Sequence, residues 1–355
     1  MAISYPQATD DAVFDFVRAV YPKLIKKDFA LLCQTYTDYV VAKWFSGNVK
    51  QMTGSQASWN VVYRKGTSAK HSRMGEKDTV SIQNVSKRGH AQWCHFGFNY
   101  SWLRQELLMV QNDPDALIDL LGSRRASEQV GALDDLEAKG WGAPTDSTDA
   151  EEIPMGIPFW VQKKLTGGTY PTGGFEGGDP SGFTGGAGGL DVSSYPNAQN
   201  YTAVFSAWTD ADCIDKLQRA MFKMKYKRPA ILNKDIKAED YSKTKLFVGL
   251  DTKLQILNIA KSNQDSLGWD LGVGADEMRF YRHTLDYAPI LDSDTDYPIY
   301  LLDMNTIFPI VLKGDKFHET EVRNSQSHDY FTIHNDLTYQ YVCSNRRHNG
   351  VICKV

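Results

Sequence analysis

The sequence predicts an α+β protein, and three patterns of apolar residues support this. Residues 10–45 and 102–139 carry apolar positions at helical spacing, whereas residues 46–98 alternate as strands do. From about residue 200 onward, short β-rich runs follow one another with helical patterns between them. A chain of 355 residues with 42% hydrophobic content is long enough for two or more domains.

Composition indicates the compartment. Five widely spaced cysteines without a Cys-x-x-Cys pair are typical of a reducing environment. The N-terminal residues lack a basic segment followed by an apolar core, and no run approaches the roughly 18 apolar residues of a membrane span. We therefore expect a soluble protein that is made in a cytoplasm and does not enter a membrane.

The first two segments differ in kind. Apolar spacing in residues 10–45 predicts two short helices divided by Pro22. Residues 46–98 predict a long hairpin, because "WNVVYRKGTS" and "TVSIQNVS" alternate and Gly75 favours a turn between them. Such a polar hairpin has little core of its own, so we expect it to lie against something else.

A long helix is predicted to begin at Pro114 and to end near Lys139, after a shorter helical pattern in residues 102–110. The run "NDPD" supplies a cap residue, a proline for the first helical position and carboxylates at the positive helix end. Gly140 and Gly142 follow the last apolar position and stop the helix. About 25 residues would extend roughly 37 Å.

The remainder mixes helices and strands. A capping-box-like start at residues 209–212 opens a helix with an apolar face, and Asp251 is predicted to cap another. The predicted strands are "RPAIL", "KLFVGL", "EMRFYRHTLDYAPIL", "YPIYLLDM" and "TIFPIVL". The end of the chain, "LTYQYVCSNRRHNGVICKV", predicts a hairpin that turns at residues 345–350.

Residues 165–196 concentrate eleven glycines between Gly167 and Gly189. A phosphate-binding loop would need Gly-x-x-x-x-Gly-Lys-Ser/Thr or Gly-x-Gly-x-x-Gly at a strand-to-helix turn, and neither pattern occurs here. The stretch is therefore interpreted as a long connection or an extended binding loop. A neighbouring molecule is a candidate for holding it in place.

Charge is distributed unevenly along the chain. Residues 46–98 carry a net charge of +6 and residues 113–152 a net charge of −8. The two segments either attract one another, within one chain or between copies, or are merely solvated faces of opposite sign. The candidate contact residues are Arg64, Lys65, Lys70, Arg73 and Lys77 on the basic side and Asp113, Asp115, Asp119, Asp134 and Asp135 on the acidic side.

Two groups of residues could suggest a metal. His90, Cys94 and His95 lie close in sequence, but a zinc site needs a second cluster at recognisable spacing. The "DSDTD" run of residues 292–296 resembles the start of a calcium loop, but Tyr297 and Pro298 stand where an open backbone is needed. We expect no metal and no other cofactor, and a turn that caps strands at residues 292–296.

The sequence shows no hydrolase or metalloprotease motif, which favours a protein without catalytic activity. Aromatic residues of the hairpin segment stand among basic ones, and this mixture suits either single-stranded nucleic acid or a neighbouring subunit. The acidic helix supplies a partner for the second interpretation. The aromatic residues are Trp59, Tyr63, Trp93 and Phe96, and the basic ones are Arg64, Lys65 and Arg73.

The order of these predicted segments along the chain resembles that of the major capsid proteins of tailed bacteriophages with the HK97-like fold. The segment "GGLDVSSYPNAQNYTAVF" is similar to a Gly-Gly-Ile-Asp-Arg-Ser-Thr-Tyr segment of such proteins, with Val192 in place of the arginine. The segment "YPIYLLDMNTIFPIVLKGDKFHE" resembles their late strand region, with Asp303 in place of an asparagine.

The resemblance implies a domain layout. Residues 1–45 would form the N-terminal arm and residues 46–98 the extended hairpin, or E-loop. Residues 99–200 would form the peripheral domain with its spine helix and the glycine-rich connection. Residues 201–290 would form the axial domain, and residues 291–355 would supply return strands of both domains.

The resemblance also implies a function. Copies would form hexamers and pentamers of an icosahedral shell around double-stranded DNA, with each E-loop over the neighbour's peripheral domain and the connection ordered by packing between subunits. Scaffolding, portal and decoration proteins are further implied partners. A link from Lys65, Lys70 or Lys77 to a neighbour is not expected. An encapsulin-like compartment or a carbohydrate-active enzyme is the alternative.

Overall fold

The structure of the protein, a computed structural model, consists of two compact units. One contains His95–Leu136, Leu312–Thr338 and the described residues before Asp38; the other contains Asp38–Cys94, Glu137–Val311 and Tyr339–Val355. The described residues are 34–46, 49–64, 71, 73–75, 82, 84–110, 114–224, 244–262, 279–280, 283–324 and 330–355.

The described residues form fifteen strands and five α-helices. The strands are β1 Lys50–Met52, β2 Ala57–Val62, β3 Ser86–Ala91, β4 Cys94–Leu103, β5 Gly174–Phe175, β6 Tyr201–Phe205, β7 Thr244–Val248, β8 Arg279–Phe280, β9 His283–Tyr287, β10 Ile299–Asp303, β11 Ile307–Leu312, β12 His318–Glu319, β13 Arg323–Asn324, β14 Tyr330–Cys343 and β15 Gly350–Lys354. The helices are α1 Arg104–Val110, α2 Pro114–Gly140, α3 Ile157–Trp160, α4 Asp215–Met224 and α5 Leu250–Ser262.

The main core of the larger unit lies on a seven-stranded sheet of order β5-β6-β15-β10-β7-β9-β8. Helix α4 buries the apolar face that its sequence predicts, with Leu217, Met221 and Met224 against the sheet. Helix α5 adds Ile256 and Ile259 to the same cluster. Removal of these side chains from water supplies the favourable term that holds the layers together.

The predicted C-terminal hairpin is wrong. Strand β14 pairs with β11 through residues 339–343 and with β12 and β13 through its first half, whereas β15 pairs with β10 and β6 in the other sheet. The predicted turn contains a 3-10 helix, Arg346–His348, and it carries the chain from one sheet to the other.

Helix α2 confirms the sequence prediction closely, because it begins at Pro114 and ends at Gly140. Its end is fixed by Glu137, whose buried carboxylate accepts hydrogen bonds from the backbone N–H groups of Val41 (2.8 Å) and Ala42 (3.0 Å). The Glu137 carboxylate also accepts from the Trp141 indole at 2.8 Å. Gly140 is required here, since a Cβ would come within 2.5 Å of the Val41 side chain.

Three local predictions need correction. Residues 102 and 103 belong to strand β4, so helix α1 begins only at Arg104. A π-helical turn, Asp210–Ile214, precedes α4, and no side-chain cap comes from Thr209. The first N–H of α5, at Leu250, donates to the Asp292 carboxylate at 2.7 Å, and this distant residue takes the capping role predicted for Asp251.

The N-terminal predictions are only partly tested. Residues 1–33 and the strand "RPAIL" lie outside the described residues, and residues 34–46 contain one 3-10 turn, Ala42–Ser46, and no α-helix. The predicted turn at Gly75 is present, with φ of 89°. Among the helices that the structure describes, none is long and apolar enough to cross a membrane.

Candidate assembly surface

The root of the β2–β3 hairpin is anchored by aromatic contacts. Strands β2 and β3 pair antiparallel from Ala57 opposite Ala91 to Val62 opposite Ser86. Trp59 packs edge-on against Trp160, with ring centroids 5.7 Å apart, and Tyr63 packs in the same way against Tyr195 at 4.7 Å. Edge-to-face pairs stabilise by about 1 kcal/mol beyond their buried area. The hairpin root is therefore part of the larger unit.

The partner of this root is the glycine-rich connection, residues 165–196. The backbone N–H of His90 donates to the Gly188 carbonyl at 3.1 Å. Gly188 adopts φ of 65°, and a Cβ there would lie 3.1 Å from both the Trp59 and Trp160 rings. Glycine is needed at this position because the backbone passes between two indole rings in a left-handed conformation.

A buried guanidinium holds the middle of the connection. Arg346 donates from Nε to the Trp160 carbonyl (2.8 Å) and from Nη2 to the Gly178 carbonyl (2.8 Å) and the Asn200 amide oxygen (3.2 Å). Burial lowers the pKa of Arg346 to about 10, and desolvation raises the pKa of nearby Asp179 above its usual value. The guanidinium thus joins three chain segments and forms no ion pair with a carboxylate among the described residues.

The backbone comes very close at the same point. A Cβ on Gly177 would lie 1.9 Å from the Asn200 side chain, and one on Gly178 would lie 2.2 Å from the backbone nitrogen of Thr166. The connection therefore needs glycine here for close approach. Contacts within its own chain hold the connection here, and the expected packing between subunits stays a prediction.

Away from the Trp59 and Tyr63 rings, three apolar side chains in the described part of the hairpin are exposed, and we call them the outer hairpin. The side chains of Val62, Met74 and Ile82 are 74%, 106% and 99% exposed. Exposed apolar side chains on a two-stranded ribbon add no stability to the subunit, since they contact water in the folded chain. This part of the hairpin provides an apolar surface that another molecule can bury.

Helix α2 presents acidic residues in the smaller unit, while its two arginines already have partners there. Arg124 forms two hydrogen bonds with Glu106, at 2.7 and 2.8 Å, and they lower the pKa of Glu106. Arg125 Nη2 lies 3.5 Å from Glu319 Oε2. Both arginines of the helix thus have acidic partners from other elements of the smaller unit.

The structure locates part of the predicted basic and acidic set. Arg64 and Arg73 are exposed, Asp119 and Asp135 are exposed on α2, and Asp134 is half-buried. Asp115 lies in the first turn of α2. The predicted residues Lys65, Lys70, Lys77 and Asp113 lie outside the described residues. The contact between the two sets stays a prediction.

The residues of the two sequence patterns considered as metal sites make other contacts in the structure. Cys94 is buried and donates to the Glu152 carbonyl at 3.3 Å, while His95 contacts Thr338 at 3.1 Å. No group of three metal-ligating side chains occurs in the part of the chain that the structure describes. Within residues 292–296, Asp294 and Asp296 bind Lys163 at 2.5 and 3.2 Å.

Sequence reasoning did not identify Arg346, Asn200 or Asp292 as organising residues. Asn200 is fully buried, and its amide donates to the Gln162 carbonyl at 2.9 Å while its oxygen accepts from the Gln162 N–H at 3.1 Å. The only sequence signal was the position of Arg346 in a polar turn between two strands, which does not show burial.

Comparison with known proteins gives a fold and no family. No protein-family model and no curated protein matches the sequence. The solved capsid asymmetric unit of cyanophage A-1(L) matches over 95% of this chain and 99% of that chain, with 10% identity and a TM-score of 0.62. A structure of Mycobacterium phage Adephagia matches over 95% and 97%, with 10% identity and a TM-score of 0.51.

The mixed α+β chain therefore has a phage capsid fold along nearly its whole length. This confirms the expectation of an α+β capsid fold, while the HK97-like details of the layout stay a prediction. At 10% identity, the likeness shows the fold alone, and the function requires a separate argument.

Proposed function

We propose that this chain is the major capsid protein of a tailed bacteriophage. Its copies form the hexamers and pentamers of an icosahedral shell around double-stranded DNA, and its role is structural, without catalysis. The observation that carries the proposal is the near full-length match to a cyanophage capsid chain, with a TM-score of 0.62. The uncovered hairpin supports it, because a subunit that assembles needs surface that only a neighbour can bury.

The HK97-like layout belongs to this proposal. Residues 1–45 are the N-terminal arm, and residues 46–98 are the E-loop, of which β2 and β3 form the root. Helix α2 is the spine helix of the peripheral domain, residues 99–200. Residues 201–290 are the axial domain around capsomer centres, and residues 291–355 return through both domains.

The proposed contact places the E-loop of one subunit over the peripheral domain of the next. Apolar side chains of the hairpin lose water there, and its arginines and lysines meet the carboxylates of α2. Contacts of this kind are individually modest, but each subunit makes several, and closure of the shell makes them collectively stable. Scaffolding, portal and decoration proteins are further proposed partners during assembly in the host cytoplasm.

The test is the particle size of the purified chain, measured by negative-stain microscopy and light scattering at low and high salt. We expect rings or shells tens of nanometres across, weakened by salt because exposed charges are screened. A uniform particle with the mass of one chain across a wide concentration range would contradict the proposal. Shells that enclose an enzyme in place of DNA would favour the encapsulin-like alternative.

A further inference from the structure

An open polar cleft lies at the root of the hairpin, on the side away from the Trp59 ring. Its volume is about 390 Å³, and residues 53–56, Ser58, Arg88 and His90 line it. Ser58 and His90 stand directly opposite one another on β2 and β3, and Arg88 follows two residues along the same face of the ladder. Three side chains on one face of the two-stranded ladder therefore form one wall of the cleft.

The cleft has a fixed shape. Arg88 Nη2 donates to Ser58 Oγ at 2.6 Å across the ladder. The Trp93 indole donates to the Gly54 carbonyl at 2.9 Å, which ties the loop before β2 to the residues after β3. Because His90 is also held by its backbone bond to Gly188, a ligand would meet a wall that is already organised.

The chemistry of the residues that line the cleft favours an oxyanion as its ligand. The lining contains a guanidinium, an imidazole, an amide and the hydroxyls of Thr53, Ser55 and Ser58, and none of the described residues that line it carries a carboxylate. A guanidinium carries five N–H donors in a planar fork, which matches the two oxygens of a carboxylate. A DNA duplex is too wide to enter a cleft of this volume, whereas one or two glutamate side chains fit.

The same chain carries an acidic turn of matching chemistry, residues 146–152. Glu151 and Glu152 are exposed, and their carboxylates have no hydrogen bond or ion pair with any residue that the structure describes. The turn is rigid, since Asp146 accepts from the N–H groups of Thr148 and Asp149 at 2.7 and 3.0 Å. Neither glutamate lines the cleft of its own chain.

We propose that the hairpin-root cleft of one copy binds the Glu151 and Glu152 carboxylates of a second copy. The inference rests on the proposed function, because it requires copies to lie side by side. It adds a contact distinct from the one between the outer hairpin and α2. Its charges come from Arg88 on one copy and from the acidic turn on the next.

Charge reversal with rescue tests the pairing. Arg88→Glu alone and Glu151→Lys with Glu152→Lys alone are each expected to lower the yield of particles at least tenfold. Combining all three substitutions in one chain restores the pair with opposite polarity and should recover most of that yield. Mixing the two defective proteins should recover six-membered rings, because the two variants can alternate there and each then meets a partner of opposite charge.

Controls separate the possible failures. Lys313→Glu, an equal charge change on an exposed residue of the smaller unit, should leave the particle yield unchanged. Arg88→Gln checks folding, and both Arg88 variants should keep the circular dichroism and melting temperature of the dissociated wild-type subunit.

The outcomes are distinct. Wild-type shells with no loss in either charge-reversed variant overturn the inference and leave the proposed function standing. Loss without rescue in the combined protein also overturns the pairing. Rescue in the combined protein without recovery of six-membered rings in the mixture assigns the contact to a single chain and contradicts the inference. A wild-type chain that never assembles overturns both the function and the inference.

Discussion

The glycine-rich connection and the β2–β3 hairpin are both poor in large apolar runs, yet different forces hold them. The connection is fixed by its own chain, through Arg346, Asn200 and close backbone approach at Gly178. The described part of the hairpin is held through the Trp59 and Tyr63 rings, whereas the side chains of Val62 and Ile82 are 74% and 99% exposed.

The difference shows that low hydrophobicity does not by itself mark a segment as a linker. Where backbone groups find partners within the subunit, a glycine-rich segment becomes part of the folded unit. Where apolar side chains have no partner within the subunit, the segment leaves an apolar surface that another molecule can bury. Substitutions in the connection should therefore change the stability of the subunit, and substitutions in the outer hairpin should change assembly.

The largest effect is expected at the closest backbone approach. Gly178→Ala should lower the free energy of unfolding by about 3 kcal/mol, because the new Cβ meets the backbone of Thr166, which cannot move aside as a side chain can. Chemical denaturation of dissociated subunits measures it. Gly185→Ala is the matched control, since nothing lies within 4 Å of a Cβ there. Equal stability of the two variants would show that the connection is not tightly fitted.

Removal of the buried guanidinium should have the next largest effect. Arg346→Met should cost about 2 kcal/mol, since it leaves the carbonyl groups of Trp160 and Gly178 without their donors. Arg347→Met, at the neighbouring half-buried position, should cost clearly less. Denaturation midpoints of the two variants measure the contrast, and a larger loss at Arg347 would contradict the role assigned to Arg346.

Substitutions in the outer hairpin should change assembly and leave the stability of the subunit nearly unchanged. Val62→Ser combined with Ile82→Ser should reduce the yield of particles about tenfold, which corresponds to about 1.4 kcal/mol, because less apolar surface is buried on assembly. Subunit stability should change by less than about 0.5 kcal/mol, since both side chains are exposed. Light scattering and denaturation of the same samples provide the two readings. An unchanged particle yield would show that this surface is not an interface.

Trp59→Ala tests whether the hairpin root belongs to the folded subunit. Its ring packs against Trp160, so this variant should lose subunit stability. A variant that loses assembly but keeps the melting temperature of the subunit would show that Trp59 belongs to the assembly surface and not to the folded unit.

The smallest effect concerns pH within the connection. Desolvation raises the folded-state pKa of Asp179 above 3.8, so the native state keeps its proton to higher pH than the unfolded chain does. Stability from this group therefore falls as pH rises through that interval. Asp179→Asn should be more stable than wild type by about 0.5 kcal/mol at pH 7, with the gain shrinking toward pH 4. A gain that is constant with pH would exclude titration of Asp179 as the cause.

Local signals in the sequence were enough for several elements. Pro114 and Gly140 set the bounds of α2 because capping and helix termination depend on residues within one turn. The apolar face of α4 was visible for the same reason, since helical periodicity is local. The order of helical arm, polar hairpin, long helix and glycine-rich segment was also sufficient to indicate the capsid fold.

The sequence by itself determined where α2 begins and ends, which face of α4 is buried and how charge is distributed along the chain. Tertiary structure alone decided that β14 and β15 belong to different sheets, that Asp292 caps α5, and that Arg346 fastens the connection. The physical reason is distance along the chain. Helix caps and periodicity act within a few residues, whereas strand partners and buried polar contacts are fixed only when residues far apart in sequence meet in the folded subunit.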